Sequence, residues 1–318
     1  MRKSVKIRKI IFEILYGIQE KNLNFDHIFD SYITNNSITE QEKSMIYNVV
    51  LNSMRYSLFI NDILKKYLKK RTKSKIKILL LSAITQIIYL DFKDYAVTND
   101  TVEVAKIKKL NTPLINSLLK NIITDRNIIK KKEFNIFDFP LWFLNSIKGA
   151  KQLDLNKMLQ SISKEPSLHL VFKNESLLKN FKEDHIQTTS NSAFILNKKK
   201  IHLIDGYSRG DWWVQDFSSM LPIHLSPEIK KKYVLDICSA PGGKTFQIAN
   251  LDNEVLSNDV SKKRILILKE NLKRLKINTK ISNCDGLDIS EKNKFDFVIL
   301  DSPCSGIGTI RRNPEILF

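Results

Sequence analysis

Val234-Leu235-Asp236-Ile237-Cys238-Ser239-Ala240-Pro241-Gly242-Gly243-Lys244-Thr245 decides the fold. Lys230, Lys231 and Lys232 precede a short apolar run. Small residues follow it, then a polar–apolar segment. This reads as strand, tight turn and helix, and the apolar run suits a strand buried in a parallel sheet. Gly242 and Gly243 can take backbone conformations closed to other residues, so a ligand can come close to main-chain atoms. The helix that follows turns its free N–H groups toward the same crevice. That is where ligands sit in open α/β sheets, outside the carboxyl end of the first strand. Gly243-Lys244-Thr245 imitates the end of a phosphate-cradling P-loop, but that motif needs a glycine where Cys238 stands. Read alone, the stretch also fits an ordinary βα turn without a ligand.

The residues beyond it add acids at the same end of the sheet. Glu254-Val255-Leu256-Ser257-Asn258-Asp259 reads as a second strand ending in a carboxylate. An acid within about twenty residues of the glycine turn can accept hydrogen bonds from both hydroxyls of a ribose. Ser261 to Leu275 is helical by pattern, with Ile265, Leu268, Leu272 and Leu275 on one face. Lys280-Ile281-Ser282-Asn283-Cys284-Asp285-Gly286 brackets a third strand end, and Phe295-Asp296-Phe297-Val298-Ile299-Leu300-Asp301 a fourth. One such acid is more often a turn former or helix cap than a ligand contact. Asp259, Asp285 and Asp301 in register with a strand–helix alternation favour a nucleoside pocket.

The next segment is Asp301-Ser302-Pro303-Cys304-Ser305-Gly306-Ile307-Gly308-Thr309-Ile310-Arg311-Arg312-Asn313-Pro314-Glu315. With it, the sequence resembles the Sun-type (RsmB-type) family of S-adenosylmethionine-dependent RNA cytosine-C5 methyltransferases. That family carries a D-x-C-x-A-P-G-G-K-T cofactor loop and a D-x-P-C-S-x-x-G-x-x-R-R-x-P element. Both stand here in the same order and separation. The resemblance is close over the C-terminal half and loose over the N-terminal half. It implies a Rossmann-like α/β class I methyltransferase domain, S-adenosyl-L-methionine as cofactor and 16S ribosomal RNA as partner. Cys238, Ser239, Ala240, Pro241, Gly242, Gly243 and Lys244 would wrap the methionine part. Asp259 would take the ribose, Asp285 the adenine amino group, and Asp301 the methionine ammonium or the cytosine. Arg311, Arg312, Lys263 and Arg264 are the RNA-binding candidates.

The chemistry accounts for the residue types. Cytosine C5 is a poor nucleophile, and a thiolate adding at C6 makes it enamine-like; the C5 proton then leaves and the thiol is expelled. A free thiol with a pKa near ~8.5 needs cationic neighbours or helix N–H groups to ionise. Arg311 and Arg312 can supply positive potential and grip an RNA backbone, and Pro303 stiffens the turn that carries Cys304. In the family the Pro-Cys cysteine, here Cys304, assists product release. The nucleophile lies on a later Thr-Cys element. Cys238, Cys284 and Cys304 are the only cysteines and none follows a threonine, so that element is absent. We therefore expect an incomplete sheet, truncated after its fourth strand, which then becomes an exposed edge. Two other readings stand: Cys304 as the nucleophile itself, or a non-catalytic RNA-binding remnant or one half of a split enzyme.

The 318 residues are 42% hydrophobic with a net charge of +18, a globular composition that fits a polyanionic partner. The richness in Lys, Asn and Ile also suits an AT-rich genome. Three scattered cysteines form no disulfide framework or zinc pattern and point to a reducing compartment. No signal peptide is read, because Glu13 breaks Ile10–Ile18, and Ile78–Leu90 is too short to span a bilayer. A cytoplasmic monomer is expected. Residues 1–130 read as all helix, with starts near Val5, Leu58, Ser74, Val97 and Pro113 and a capping box at Thr39 and Glu42. Tyr95-Ala96-Val97-Thr98-Asn99-Asp100 and Ile115-Asn116-Ser117-Leu118-Leu119 resemble the NusB-like helical domain that precedes the Sun-type domain. That likeness implies an RNA-binding bundle, and a passive helical extension is the alternative. Residues 131–205 read as a linker and small α+β subdomain, with strands at Leu168–Phe172 and Ala193–Leu196 and Trp142 as a core anchor. Lys130-Lys131-Lys132-Glu133 reads as a solvated linker and Lys198-Lys199-Lys200 as a turn. Residues 206–318 form the methyltransferase domain, entered through Gln215 and Asp216, with Asp216 as a helix cap. His27, His169, His185, His202 and His224 have no metal spacing and are read as structural.

Overall fold

A computed structural model describes residues 1–68, 72–131, 139–147, 149, 155–162, 164–197, 199–290, 294–304 and 306–318. The chain divides into two compact units, Met1–Glu165 with Ser305–Phe318, and Pro166–Cys304.

The first unit is helical: α1 (Lys3–Lys21), α2 (Phe25–Thr34), α3 (Glu40–Arg55), α4 (Ser57–Tyr67), α5 (Ser74–Ile84), α6 (Asp94–Ile107) and α7 (Thr112–Thr124), followed by shorter helices. Ile11, Ile14 and Leu15 of α1 reach the centre of a core shared with Ile46 and Val50 of α3, Leu80 of α5, Val104 of α6 and Leu119 of α7. Apolar residues three and four apart put one face of each helix inward. The capping box forms as read: the Thr39 hydroxyl accepts from Glu42 N, and Glu42 Oε2 accepts from Thr39 N at 3.0 Å. Pro113 stands in the first turn of α7, capped by Asn111. Beneath α1, Arg8 Nη1 meets Asp100 Oδ2 at 2.7 Å, and both side chains are buried.

Three features depart from the sequence reading. The apolar run from Ser74 does not stay α-helical: a π-turn, Thr85–Tyr89, takes over. There Thr85 Oγ1 donates to Leu81 O and Gln86 Nε2 to Ser82 O, side chains competing for carbonyls four residues back. Helix α2 was not read; it is a short ten-residue element that buries Phe25, Ile28 and Phe29, with Tyr32 and Ile33 only partly covered. Trp142 is not a core anchor; it is 43% exposed, edge-on to Phe143, which takes the buried place itself. Of the lysine runs, Lys130 ends a helix and pairs with Asp91, and Lys199 pairs with Glu183. Lys132, Glu133, Lys198 and Ser305 lie outside the described residues.

The second unit carries two sheets. The antiparallel one comprises β1 (Leu168–Phe172), β2 (His185–Thr189), β3 (Ser192–Ile195) and β4 (Trp212–Val214) in the order β2-β3-β1-β4. Strands β2 and β4 escaped the sequence reading because one is polar and the other only three residues long. The parallel sheet comprises β5 (Tyr233–Ile237), β6 (Glu254–Asn258), β7 (Lys280–Ser282) and β8 (Phe297–Leu300) in the order β7-β6-β5-β8. Helices Gly243–Ala249 and Lys262–Leu275 connect its first three strands. Ile265, Leu268, Leu272 and Leu275 are buried with Phe246 and Met220, as the helical stripe requires. This is the expected Rossmann-like α/β arrangement, and it follows an all-α region in the sequence. Strand β8 is the sheet's edge among the described residues, with Val298 55% and Leu300 63% exposed.

Candidate cofactor site

Strands β5 and β8 are parallel neighbours with Ile237 opposite Leu300. The loop from Cys238 and the loop from Asp301 therefore leave the same end of the sheet. Cys238 takes φ +60° and Gly242 φ +118°. A Cβ on Gly242 would lie 2.0 Å from the Phe246 ring, so only glycine fits this close turn onto its own helix. The turn opens helix Gly243–Ala249.

Three acids face this loop. Asp236, at the end of β5, is buried; its Oδ2 accepts from Thr245 Oγ1 at 2.6 Å while its Oδ1 has no partner. Burial pushes its carboxyl up to about 6, opposed by the Thr245 hydrogen bond and the Lys244 charge, and Asp301 and Asp259 push it further the same way. Asp259 is also buried. Its Oδ1 accepts from Ser261 N at 2.9 Å, and its Oδ2 accepts from Ala240 N at 3.2 Å and faces Arg264 Nη1 at 3.2 Å. A carboxylate has about four acceptor directions, so a ribose hydroxyl would meet the one that remains. Asp301 is open to solvent, and its Oδ2 receives Lys244 Nζ at 2.6 Å. Lys244 Nζ also donates to Ser219 Oγ at 2.8 Å.

The other residues singled out from sequence fall as follows. Ser239 and Ala240 are buried in the loop; the Ser239 hydroxyl, like Asp236 Oδ1, has no partner. Pro241 is exposed and Gly243 partly so. Burial pushes the Cys238 thiol up, with the charge of Asp259 acting in the same direction. Asp285 is exposed and caps a short turn through Leu287 N at 3.0 Å. Cys304 is exposed, three residues beyond Asp301. Lys263 is exposed, and Arg264, half-exposed itself, reaches Asp259 and the Ala240 carbonyl. Arg311 and Arg312 belong to the first unit. Arg311 Nη2 donates to Glu165 O, its own carbonyl receives Arg55 Nη2 at 3.0 Å, and Arg312 is exposed.

Sequence reading missed the supports behind the loop. Trp213 Nε1 donates to Gln215 Oε1 at 2.8 Å, Gln215 Nε2 to Gln247 Oε1 at 3.1 Å, and Gln247 Nε2 to Met220 O at 3.0 Å. Asp216 caps helix Phe217–His224 as expected, which sets Ser219 under Lys244. Arg264 lies four, eight and eleven residues before the buried Leu268, Leu272 and Leu275. A cation on a buried stripe was the available signal that it has a partner inside. His169 is structural, held between Gln215 O at 2.8 Å and Thr188 Oγ1 at 2.9 Å. Among the described residues no group of His, Cys, Asp and Glu could hold a metal ion, and no helix is long and apolar enough to cross a membrane.

The arrangement suits a cationic nucleoside. Buried acceptors without partners at Asp236 and Ser239 and the open carboxylate of Asp301 converge on one glycine loop. These are acceptors of the kind that an ammonium or sulfonium group would meet. Comparisons with known proteins show what the chain is similar to. Residues 222–318 match the family described as 16S rRNA methyltransferase RsmB/F, and residues 5–124 match the NusB family. The ribosomal RNA small subunit methyltransferase B of Proteus mirabilis is 25% identical over 99% of this chain and 80% of its own length. The probable counterpart of Coxiella burnetii is 27% identical over 88% of this chain and 72% of its own. The crystal structure of PH0851 superimposes with a TM-score of 0.64 at 18% identity, over all of this chain and 78% of that one, a likeness of fold.

Proposed function

We propose, from the premise that this chain is a two-domain RsmB/F-type rRNA methyltransferase with a NusB-like N-terminal domain, that it binds S-adenosylmethionine for methyl transfer to C5 of a cytidine in 16S ribosomal RNA. One observation carries this reading: Asp236, Asp259 and Asp301 meet at a single glycine loop, with Cys304 in the loop that leaves the neighbouring strand β8. Bound S-adenosylmethionine supplies an electrophilic methyl group. Ser239 to Lys244 hold its methionine part and Asp259 its ribose. Lys244, fixed by Ser219 and Asp301, keeps the mouth of the site polar and orients Asp301. Asp285 stands for the adenine amino group. Cys304 assists product release, an exposed thiol suited to a transient contact.

In this reading residues 1–130 hold RNA, 131–205 join the parts and 206–318 carry the chemistry in the cytoplasm, as a monomer. Most of the excess of Lys and Arg over Asp and Glu lies in residues 1–165 and 305–318, which suits a phosphate backbone. The 318 residues carry the cofactor side of this reaction, and Cys304 is their one cysteine on the Pro-Cys element. The concentration of positive charge in the first unit favours a second reading, an RNA-binding protein without catalysis or one half of a split enzyme. Calorimetry with S-adenosylmethionine separates them: heat of binding supports the cofactor site, and its absence leaves RNA binding alone. Tritiated-methyl transfer to 16S ribosomal RNA tests the activity directly. A 5-fluorocytosine RNA that forms a covalent adduct, lost in Cys304→Ala, would overturn the release role and make Cys304 the nucleophile.

A further inference from the structure

We infer that Arg264 is a positioning residue of the cofactor loop rather than an RNA contact: with Asp259 it clasps both main-chain groups of Ala240, and Asn271 holds the next carbonyl. This rests on the cofactor reading and names the device that shapes that site.

Four groups close a ring. The Ala240 N–H donates to Asp259 Oδ2 at 3.2 Å, Arg264 Nη1 faces the same oxygen at 3.2 Å, and Arg264 Nη2 donates to the Ala240 carbonyl. Seven residues along the same helix, two turns away, Asn271 Nδ2 donates to the Pro241 carbonyl at 3.3 Å. From the other side, Asn283 Nδ2 donates to the Asp259 carbonyl at 2.7 Å and the Val260 carbonyl at 3.1 Å. The end of β6, which presents the acid, and the loop after β5 are thus tied to one helix. The loop needs such a tie. Left-handed residues flank it at Cys238 and Gly242, and a non-glycine residue in that region carries conformational strain. Its amide and carbonyl at Ala240 lie inside the protein, where unpaired main-chain groups are unfavourable.

Only arginine meets both demands. Its planar fork sends one nitrogen to a carboxylate and another to a carbonyl, whereas lysine offers a compact point charge. The guanidinium also stands beside a buried acid, which would otherwise carry an unpaired charge. With Nη1 on Asp259 and Nη2 on the Ala240 carbonyl, the half-exposed Arg264 has fewer donors left for a phosphate backbone than the exposed Lys263 beside it.

The test uses the full chain and Arg264→Lys, with S-adenosylmethionine as ligand in calorimetry and 16S ribosomal RNA in filter binding. Arg264→Lys keeps a charge beside Asp259 but loses the second arm. Its melting temperature should stay near that of the unaltered chain while affinity for S-adenosylmethionine falls by roughly tenfold or more, the size of a lost charge-assisted hydrogen bond. RNA affinity should not change. Faster hydrogen exchange at Ser239 to Lys244 in Arg264→Lys, which a defect elsewhere would not produce, supports the clasp. Asn271→Ala should weaken S-adenosylmethionine binding in the same direction by less. Unchanged cofactor affinity in Arg264→Lys, or a loss confined to RNA, overturns the inference alone. An unaltered chain that gives no heat with S-adenosylmethionine overturns the cofactor reading beneath it.

Discussion

Replacing Asp236 with Asn changes the charge at the buried end of β5 and almost nothing else. Burial raises the Asp236 carboxyl from an ordinary value of 3.8 to about 6. The folded protein therefore binds this proton more tightly than the unfolded chain between those two values. Stability falls as pH rises through that window. At one pKa unit per about 1.4 kcal/mol, the ionised carboxylate costs the fold about 3 kcal/mol above pH 7, and most of that cost is gone by about pH 4. Asn keeps an oxygen for Thr245 Oγ1, the donor at 2.6 Å, and never ionises. Its amide nitrogen takes the place of an Oδ1 that has no partner, a cost of about 1–3 kcal/mol that does not depend on pH. The size of the difference at one pH is thus mixed, but its slope is not. Urea unfolding can be followed through the tryptophans, two of which, Trp212 and Trp213, are buried in this unit. The stability of Asp236→Asn minus that of the unaltered protein should rise by about 2–3 kcal/mol from about pH 4 to about pH 7.5. A difference that stays flat across that range would refute the argument. The same variant should bind S-adenosylmethionine more weakly, since a buried acceptor at the loop has become a donor.

Three further outcomes are expected. Asp259→Ala should weaken S-adenosylmethionine binding by roughly tenfold or more, since losing a charged acceptor costs about 1.5–3 kcal/mol; unchanged affinity in calorimetry rules out the ribose role. Gly242→Ala sets a Cβ 2.0 Å from Phe246 at φ +118°, so it should destabilise the α/β unit by about 2–4 kcal/mol through overpacking and strain, and a thermal scan matching the unaltered protein would contradict the packing described. Arg8→Met strands the buried carboxylate of Asp100, partnered at 2.7 Å, and should destabilise the helical unit by about 3 kcal/mol, the low end for a broken buried pair because Arg2 still stands 3.2 Å away; chemical unfolding followed by circular dichroism measures it.

Apolar spacing made the parallel sheet and its helices legible, because burial on both faces of β5 and on one stripe of Lys262–Leu275 leaves periods of two kinds in the sequence. The capping residues Thr39 and Asp216 were equally legible, since the side chain that caps is the signal. Strands β2 and β4 were not, because a polar or three-residue strand owes its existence to the neighbour it pairs with. Trp142 misled for a similar reason: its aromatic surface invites burial, but Phe143 beside it fills the space. At the site, strand ends announced Asp259 and Asp301 as candidates. That Asp259 is already engaged by Ala240, Ser261 and Arg264 depended on the loop folding back over β6. Local sequence does not encode that return.

The amides behind the loop form a chain with a single direction. An indole nitrogen can only give a hydrogen and a carbonyl can only take one, so Trp213 at one end and Met220 at the other leave Gln215 and Gln247 no freedom to rotate their amides by a half-turn. The chain contains no group that titrates, so acidity leaves it untouched, in contrast to the buried carboxyl of Asp236. An acid at either glutamine position, though nearly identical in shape, would set two oxygens face to face, breaking the middle link at Gln215 or the last one at Gln247.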